Sequence, residues 1–188
     1  NFCSVGPFLY FSANDGFTGH ELWKSDGTET NTVLVKDINP GGDSRPHNTV
    51  NVNGVLFFTA DNGTDGIELW KSDGTEIGTV MVKNIKATGS SNPSYLTNVN
   101  GVLYFVADDG INGVELWKSN GTEGGTVLVK NIYASGNNSN PSFLTNVNGT
   151  LYFAADDGVN GMEVWKSNGT EAGTVLVKDI YSGSAGSN

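Results

Sequence analysis

Short apolar runs, broken by turn residues, follow one another along the whole chain. Between residues 95 and 132, such runs fill 95–99, 102–107, 114–119 and 126–132. Asn100-Gly101 separates the first two runs, and this dipeptide is a strong hairpin signal because both of its residues accept a positive φ. Longer glycine-containing turns separate the other runs. The pattern therefore predicts four short antiparallel strands joined by three turns.

The same pattern occurs four times. Trp23, Trp70, Trp117 and Trp165 are separated by 47, 47 and 48 residues. Around them stand the phrases HELWKSDGTE, IELWKSDGTE, VELWKSNGTE and MEVWKSNGTE. A repeat of this length indicates identical supersecondary units that bury their apolar faces against one another. The units extend over approximately 1–39, 48–86, 95–133 and 143–181, and together they form a single domain over 1–188.

Both faces of each predicted sheet are apolar. The Asn-Gly turn sets Val99 opposite Val102. Continued across the sheet, this register places Tyr104 beside Trp117, and Trp117 beside Leu128. Since neither apolar face can be left in water, each sheet needs a similar sheet on both sides. We therefore predict an all-β β-propeller of four antiparallel four-stranded blades, either a closed four-bladed ring or half of an eight-bladed ring formed by two chains.

The repeated phrase also carries a family resemblance. ELWKSDGT resembles the ELWxxDGT repeat family in all four units, although units three and four have Asn for Asp and unit four has Val164 for Leu. This resemblance implies β-propeller blades and a secreted, extracellular protein. In blade length and architecture the chain also resembles the tachylectin-type propeller lectins. That second resemblance implies binding of acetamido sugars, such as N-acetylated hexosamines.

Composition narrows the classes of partner. The chain has 20 acidic and 10 basic residues, and its net charge of -10 disfavours nucleic acid, whose binding depends on clustered Lys and Arg. No apolar run approaches the roughly 18 residues of a membrane span, so we expect no membrane insertion. The single cysteine, Cys3, is expected to be either a buried free thiol or a disulfide that joins a homodimer.

Acidic and amide residues cluster in the turn after each second strand. The predicted topology places these turns on the same side as the links between units, which carry Arg45, Asn92 and Asn140. Loops on a rigid scaffold often carry binding residues, and carboxylates, amides and tyrosines suit sugars. Alternatively, Asp and Asn only stabilise these turns. The candidate ligand-binding residues are Asp15, Asp61, Asn62, Asp108, Asp109, Asn112, Tyr133, Asp156, Asp157, Asn160 and Tyr181.

Two other repeated residue types have structural interpretations. The tryptophans lie in the middle of strands, so we expect them to pack between blades. A glutamate begins each third strand, and the predicted register sets it opposite a lysine of the fourth strand, as with Glu115 and Lys130. We therefore predict a cross-strand ion pair in every unit.

Neither calcium binding nor catalysis follows from the spacing of the acidic residues. In the loop ADDGxNGxE, Gly110 stands where an EF-hand requires a ligand, so calcium stays a minor alternative and no other cofactor is expected. His20 and His47 have no nucleophile motif or P-loop beside them, and the acidic residues occur in four similar copies. We predict a non-catalytic multivalent lectin that binds glycans; the alternative is a structural or adhesion propeller that binds protein or matrix.

Overall fold

The structure is a computed structural model that describes residues 2–183, 186 and 187, and it consists of strands and turns. Asn1, at the start of the first predicted unit, and Ser184, Ala185 and Asn188, beyond the last one, lie outside the described residues. The described strands form four antiparallel four-stranded sheets, one for each sequence repeat. The all-β prediction is therefore confirmed. None of the described segments is a helix that could cross a membrane.

In each sheet the strands lie side by side in chain order. Sheet 1 comprises β1 (Phe2–Val5), β2 (Phe8–Asn14), β3 (His20–Ser25) and β4 (Val33–Lys36). Sheet 2 comprises β5 (His47–Val52), β6 (Val55–Asp61), β7 (Ile67–Ser72) and β8 (Val80–Lys83). Sheet 3 comprises β9 (Ser94–Val99), β10 (Val102–Asp108), β11 (Val114–Ser119) and β12 (Val127–Lys130). Sheet 4 comprises β13 (Ser142–Val147), β14 (Thr150–Asp156), β15 (Met162–Ser167) and β16 (Val175–Lys178).

The strand pairing corrects the predicted register by one residue in the middle of each sheet. In sheet 3, Phe105 lies opposite Trp117, where Tyr104 was predicted. The difference arises because β10 continues to Asp108, so that residues 109–113 alone form the turn. A register shift between β11 and β12 then restores the predicted pair of Trp117 with Leu128.

The sheets belong to two compact units, Asn1–Asn92 with sheets 1 and 2, and Pro93–Asn188 with sheets 3 and 4. Within each unit, one face of the earlier sheet packs against the opposite face of the later sheet. We call these the forward face and the rear face. In the first unit, the forward face of sheet 1 contributes Val5, Leu22, Val35 and Ile38, and the rear face of sheet 2 contributes Leu56, Phe58, Ala60 and Trp70. In the second unit, the forward face of sheet 3 contributes Val99, Leu116, Val129 and Ile132, and the rear face of sheet 4 contributes Leu151, Phe153, Ala155 and Trp165.

These clusters show the surroundings of the repeated tryptophans and of the single cysteine. Trp70 and Trp165 are buried between the sheets of their units, which confirms the core role predicted for them. Cys3 packs at the margin of the first cluster and is half-buried. Burial raises the pKa of its thiol, so the neutral, unreactive form is favoured. A disulfide between two chains stays a prediction.

The predicted ion pair between Glu115 and Lys130 is wrong. Lys130 pairs with Leu116 in the strand register, one residue beyond the predicted partner. Its Nζ atom donates a hydrogen bond to the carbonyl oxygen of Thr174 in sheet 4, at 2.9 Å. The lysine therefore ties two sheets together, and the carboxylate of Glu115 takes its hydrogen bonds from the chain that follows β12.

Candidate functional site

Most of the predicted site residues lie in four equivalent turns after the second strands, at residues 14–19, 61–66, 108–113 and 156–161. We call these the rim turns. In each, a side-chain oxygen of the first residue accepts the N–H of the glycine two positions later, at 2.7 Å. The second residue accepts the N–H groups two and three positions later, at 2.7 to 3.0 Å. Asp15, Asp61, Asn62, Asp108, Asp109, Asp156 and Asp157 therefore stabilise their own turns.

The fifth position completes this arrangement in sheets 3 and 4. Asn112 donates a hydrogen bond from Nδ2 to Oδ2 of Asp109 at 2.7 Å, and its Oδ1 accepts one from Asn131 at 3.0 Å. Asn160 donates to Asp157 in the same way at 2.8 Å. Burial opposes the charge on Asp109, but the hydrogen bonds from Asn112 and from neighbouring N–H groups outweigh it and hold the pKa of Asp109 below its ordinary value. These groups thus have little hydrogen-bonding capacity left for a ligand.

The two predicted tyrosines differ in their surroundings. The ring of Tyr133 lies directly over Gly158 in the rim turn of sheet 4, where an added Cβ would collide with ring atoms. Gly158 also has a φ of +79°, so both space and backbone conformation require glycine there. Tyr181 is exposed and donates its backbone N–H to Glu163 at 3.4 Å. The structure thus brings Tyr133, but not Tyr181, against a rim turn.

A cavity of about 710 Å³ lies beside the link between sheets 1 and 2. Its ionisable lining consists of His20, Asp43, Arg45, His47 and Asp61. Both histidines and the only arginine of the chain are therefore collected at one place. Asp61 alone among these five was a predicted ligand group; Arg45 was placed on the same side by the predicted topology, but no repeated pattern indicates His20, Asp43 or His47 as ligand groups.

The link holds these side chains in a defined arrangement. Oδ1 of Asp43 accepts a hydrogen bond from the backbone N–H of His20 at 2.8 Å. Its Oδ2 accepts hydrogen bonds from Nε and Nη2 of Arg45, at 3.3 and 3.2 Å. The N–H of His20 and the guanidinium of Arg45 hold the pKa of Asp43 below its ordinary value. Nδ1 of His47 lies 2.9 Å from the carbonyl oxygen of Arg45. Asp61 uses Oδ1 for Gly63, and its Oδ2 makes no hydrogen bond within the described part of the chain.

The second unit has the same backbone arrangement with fewer charges: the link itself has none, and only Asp156, the equivalent of Asp61, is charged. There Val114, Asn138, Asn140 and Ser142 occupy the positions of His20, Asp43, Arg45 and His47. Asn138 accepts the N–H of Val114 at 2.8 Å, as Asp43 accepts that of His20. The link therefore folds without charged side chains, and the fold does not account for their presence in the first unit.

Sheets 3 and 4 carry a second unusual feature. Tyr95 and Phe143 occupy equivalent positions on β9 and β13, with φ values of +53° and +56°. Both lie where the register of the strand pair shifts, and they are 48% and 76% exposed. Bulky residues seldom adopt this backbone region, and such strain concentrates at functional sites. The sequence alone indicates an ordinary strand residue at Tyr95, since an aromatic residue at the start of an apolar run fits a strand equally well.

The described residues contain no group of three His, Cys, Asp or Glu side chains arranged to hold a metal ion. The rim-turn oxygens, which suggested calcium in the sequence, are directed to backbone N–H groups. The positive partial charge of those groups disfavours a bound cation beside the same oxygens.

Comparison with known proteins defines the fold class. No protein-family model matches the chain, and neither does any curated protein. The solved structures of puromycin hydrolase, alone and as a mutant complexed with PGG, match 93% of this chain with a TM-score of 0.57 and 15% identity. The structure of prolyl oligopeptidase B from Galerina marginata matches 91% of this chain, with a TM-score of 0.49 and 10% identity.

The chain spans less than a third of the length of these structures, 28 to 29% of puromycin hydrolase and 24% of the oligopeptidase. At such low identity, the likeness to puromycin hydrolase shows the fold alone. Together with the four sheets, it defines a propeller-like, all-β repeat protein.

Proposed function

We propose that the chain is a non-catalytic carbohydrate-binding protein of the ELWxxDGT repeat type, in which the four sheets are propeller blades and the links carry the ligand sites. The observation that supports this most directly is the cavity of the first unit. It gathers both histidines, the only arginine and Asp43 at a link that folds without charge in the second unit, and Asp61 from the neighbouring rim turn joins them. Secretion, which the family resemblance implies, belongs to the same proposal.

The chemistry of the lining suits a neutral ligand with many hydroxyl groups. Oδ2 of Asp61 accepts hydrogen bonds, the guanidinium of Arg45 donates them, and the imidazoles do either. The charges of Asp43 and Asp61 offset that of Arg45, so an anionic ligand gains little attraction. A volume of about 710 Å³ also falls within the range of small-molecule sites.

The strained aromatic residues of the second unit extend the proposal to several sites. Tyr95 and Phe143 present ring surface to solvent, and an aromatic ring covers the apolar C–H face of a sugar. Sites in both units let one molecule engage two sugars of a glycan, which raises avidity without new contacts. N-acetylated hexosamines are the first ligands to test, because the family-level resemblance points to acetamido sugars.

The experiment replaces cavity residues by those found at the same positions of the second unit. Arg45→Asn and His47→Ser should each weaken binding of an immobilised glycan to the first unit roughly tenfold, the loss of one to two hydrogen bonds. The melting temperature should hardly change, because Asn140 and Ser142 support the same link. Ile77→Ser, at an exposed turn away from the links, is the matched control. Absence of binding to every glycan at high protein density would overturn the proposal.

A second function is favoured by one specific observation. Phe17, Ile111 and Val159 stand at the same position of three rim turns and are strongly exposed. Exposed apolar residues at loop tips are typical of surfaces that bind other proteins. An adhesion module would lose binding to its protein partner when the three are replaced by Ser, whereas a lectin would keep its affinity for glycans.

A further inference from the structure

The rear face of sheet 1 is exposed, although the same face of sheet 2 is buried. Leu9 is 40% exposed, whereas Leu56, its equivalent in sheet 2, is 0% exposed. Phe11 is half-buried, and its ring lies 6.1 Å from that of the exposed Phe2, while Phe58 at the equivalent position is fully buried. An apolar face on sheet 1 is therefore left in contact with solvent.

The forward face of sheet 4 is also exposed, although the same face of sheet 3 is buried. Val164 is 39% exposed and Ile180 is 62% exposed. Their equivalents in sheet 3, Leu116 and Ile132, are 0% and 7% exposed. Val147 and Val177 are likewise exposed where Val99 and Val129 are buried. No described part of the chain covers this face.

The junction between sheets 1 and 2, and that between sheets 3 and 4, show what covers such a face. In both, a forward face packs against the rear face of the next sheet. Polar contacts accompany the packing. Lys24 donates to the carbonyl oxygen of Gly74 at 2.8 Å, and Lys118 donates to that of Gly169 at 2.7 Å. The forward face of sheet 4 and the rear face of sheet 1 are thus the two halves of one further junction of the same kind.

Gly27 of sheet 1 identifies the missing neighbour more closely. A Cβ at Gly74 or Gly169 would collide with the hydroxyl of Tyr10 or Tyr104 from the preceding forward face. A Cβ at Gly27 meets no atom within 4 Å. The position over Gly27 is open because no tyrosine of the described residues lies there.

Thr32 likewise lacks the neighbouring sheet that covers its equivalents. Its equivalents Thr79 and Thr174 are fully buried, and their carbonyl oxygens accept hydrogen bonds from Lys36 and Lys130 at 3.0 and 2.9 Å. Thr32 itself is exposed.

We propose that the forward face of sheet 4 binds the rear face of sheet 1 in a second copy of this chain. The repeat supplies every group that the junction needs. Tyr152 would lie over Gly27, and the Nζ atoms of Lys166 and Lys178 would donate to the carbonyl oxygens of Gly27 and Thr32. Because two different faces meet, the contact is head-to-tail, and a dimer satisfies it when each chain contributes both of its faces. This proposal does not depend on sugar binding.

Sedimentation of the full chain under reducing conditions tests the proposal and excludes a contribution from Cys3. We expect a mass of twice the 19.8 kDa of one chain. A chain that stays monomeric at tens of micromolar overturns the proposal.

Two variants test which faces meet. Val164→Asp damages the forward face and Leu9→Asp the rear face, and each should weaken self-association roughly 100-fold or more, because a carboxylate would be buried without a partner. A near-ultraviolet spectrum that matches the wild type shows that each variant is folded. Ile77→Asp, on an exposed turn outside both faces, should leave the mass unchanged.

Mixing the two variants gives the most specific result. The Leu9→Asp chain retains an intact forward face and the Val164→Asp chain an intact rear face, so an equimolar mixture should form a heterodimer with one junction. If either variant dimerises by itself, or if the mixture stays monomeric, the head-to-tail contact is wrong.

Discussion

The hydroxyl of Ser139 donates a 2.6 Å hydrogen bond to the buried carboxylate of Glu115, and this contact ties the link after sheet 3 to the third strand of that sheet. The same carboxylate accepts the N–H groups of Ile132, Tyr133 and Ser139 at 3.0 to 3.3 Å. Glu21 and Glu68 hold their links through Ser44 and Ser91, also at 2.6 Å. The glutamate of the repeated phrase therefore positions the link, and with it the residues that line the candidate site.

Replacement of this acceptor should destabilise the protein. In Glu115→Gln, one carboxylate oxygen becomes an amide donor that faces N–H groups, so at least one buried donor loses its partner. We expect the free energy of unfolding to fall by about 1–3 kcal/mol, measured by denaturant titration. The control is Glu123→Gln in an exposed turn, which should change stability by less than about 0.5 kcal/mol. Equal effects of the two variants would contradict this role for Glu115.

The same carboxylate should make stability depend on pH. Burial raises the pKa of Glu115 above its ordinary value, although the hydrogen bonds from Ser139, Ile132 and Tyr133 oppose the shift. The folded state therefore binds this proton more tightly than the unfolded state does. The associated stability is fully present below the ordinary pKa and is lost as pH rises through the raised pKa. Unfolding measured between pH 3 and 8 should show the wild type losing stability relative to Glu115→Gln as pH rises; a constant difference would contradict the shift.

The rim turns allow a test by exchange of two side chains. Sheet 3 has Asp109 with Asn112, whereas sheet 2 has Asn62 with Asp65, and both pairs form a 2.7 Å hydrogen bond. Asp109→Asn alone sets two amide groups against each other and should cost about 1 kcal/mol.

The double variant Asp109→Asn with Asn112→Asp restores the arrangement of sheet 2, so it should recover the loss. Thermal unfolding of the single and double variants measures this coupling. Additive losses would show that the pair has no structural role.

Backbone strain at Phe143 should make a stabilising substitution available. Asn48, its equivalent in sheet 2, has a φ of +51°, and Asn tolerates this region better than Phe. Because Phe143 is largely exposed, Phe143→Asn loses little packing and should stabilise the protein by about 1 kcal/mol. It should also weaken glycan binding at the second unit. A drop in melting temperature would show instead that the ring packs in the fold.

Two equivalent lysines should behave differently. Lys118 donates to the carbonyl oxygen of Gly169 within its unit, whereas Lys166 makes no hydrogen bond within the described part of the chain. Lys118→Met should lower the free energy of unfolding by about 1 kcal/mol, since a buried acceptor loses its donor. Lys166→Met should leave the unfolding of the dilute chain unchanged and weaken self-association, as sedimentation would show. Equal behaviour of the two variants would contradict the proposed junction between copies.

The amino-acid sequence determined the repeat, the strands and the hairpins, because these depend on neighbours along the chain. Asn100-Gly101 makes its turn from its own backbone preferences, and the alternation around Trp117 already requires a cover on both faces of the sheet. The position of Trp117 opposite Phe105 was missed by one residue, because the length of the intervening rim turn is decided by side-chain hydrogen bonds that the alternation does not reveal.

Only the tertiary structure decided what the charged residues do. The predicted strand register set Glu115 opposite Lys130 and so suggested an ion pair. In the structure, Glu115 accepts a hydrogen bond from Ser139 of the following link, and Lys130 donates one to Thr174 of the neighbouring sheet. His20 and His47 line one cavity only because the link between sheets 1 and 2 brings β3 and β5 close together. A hydrogen bond or a shared cavity depends on distances between segments far apart in the chain, and each such distance is set by the packing of whole sheets.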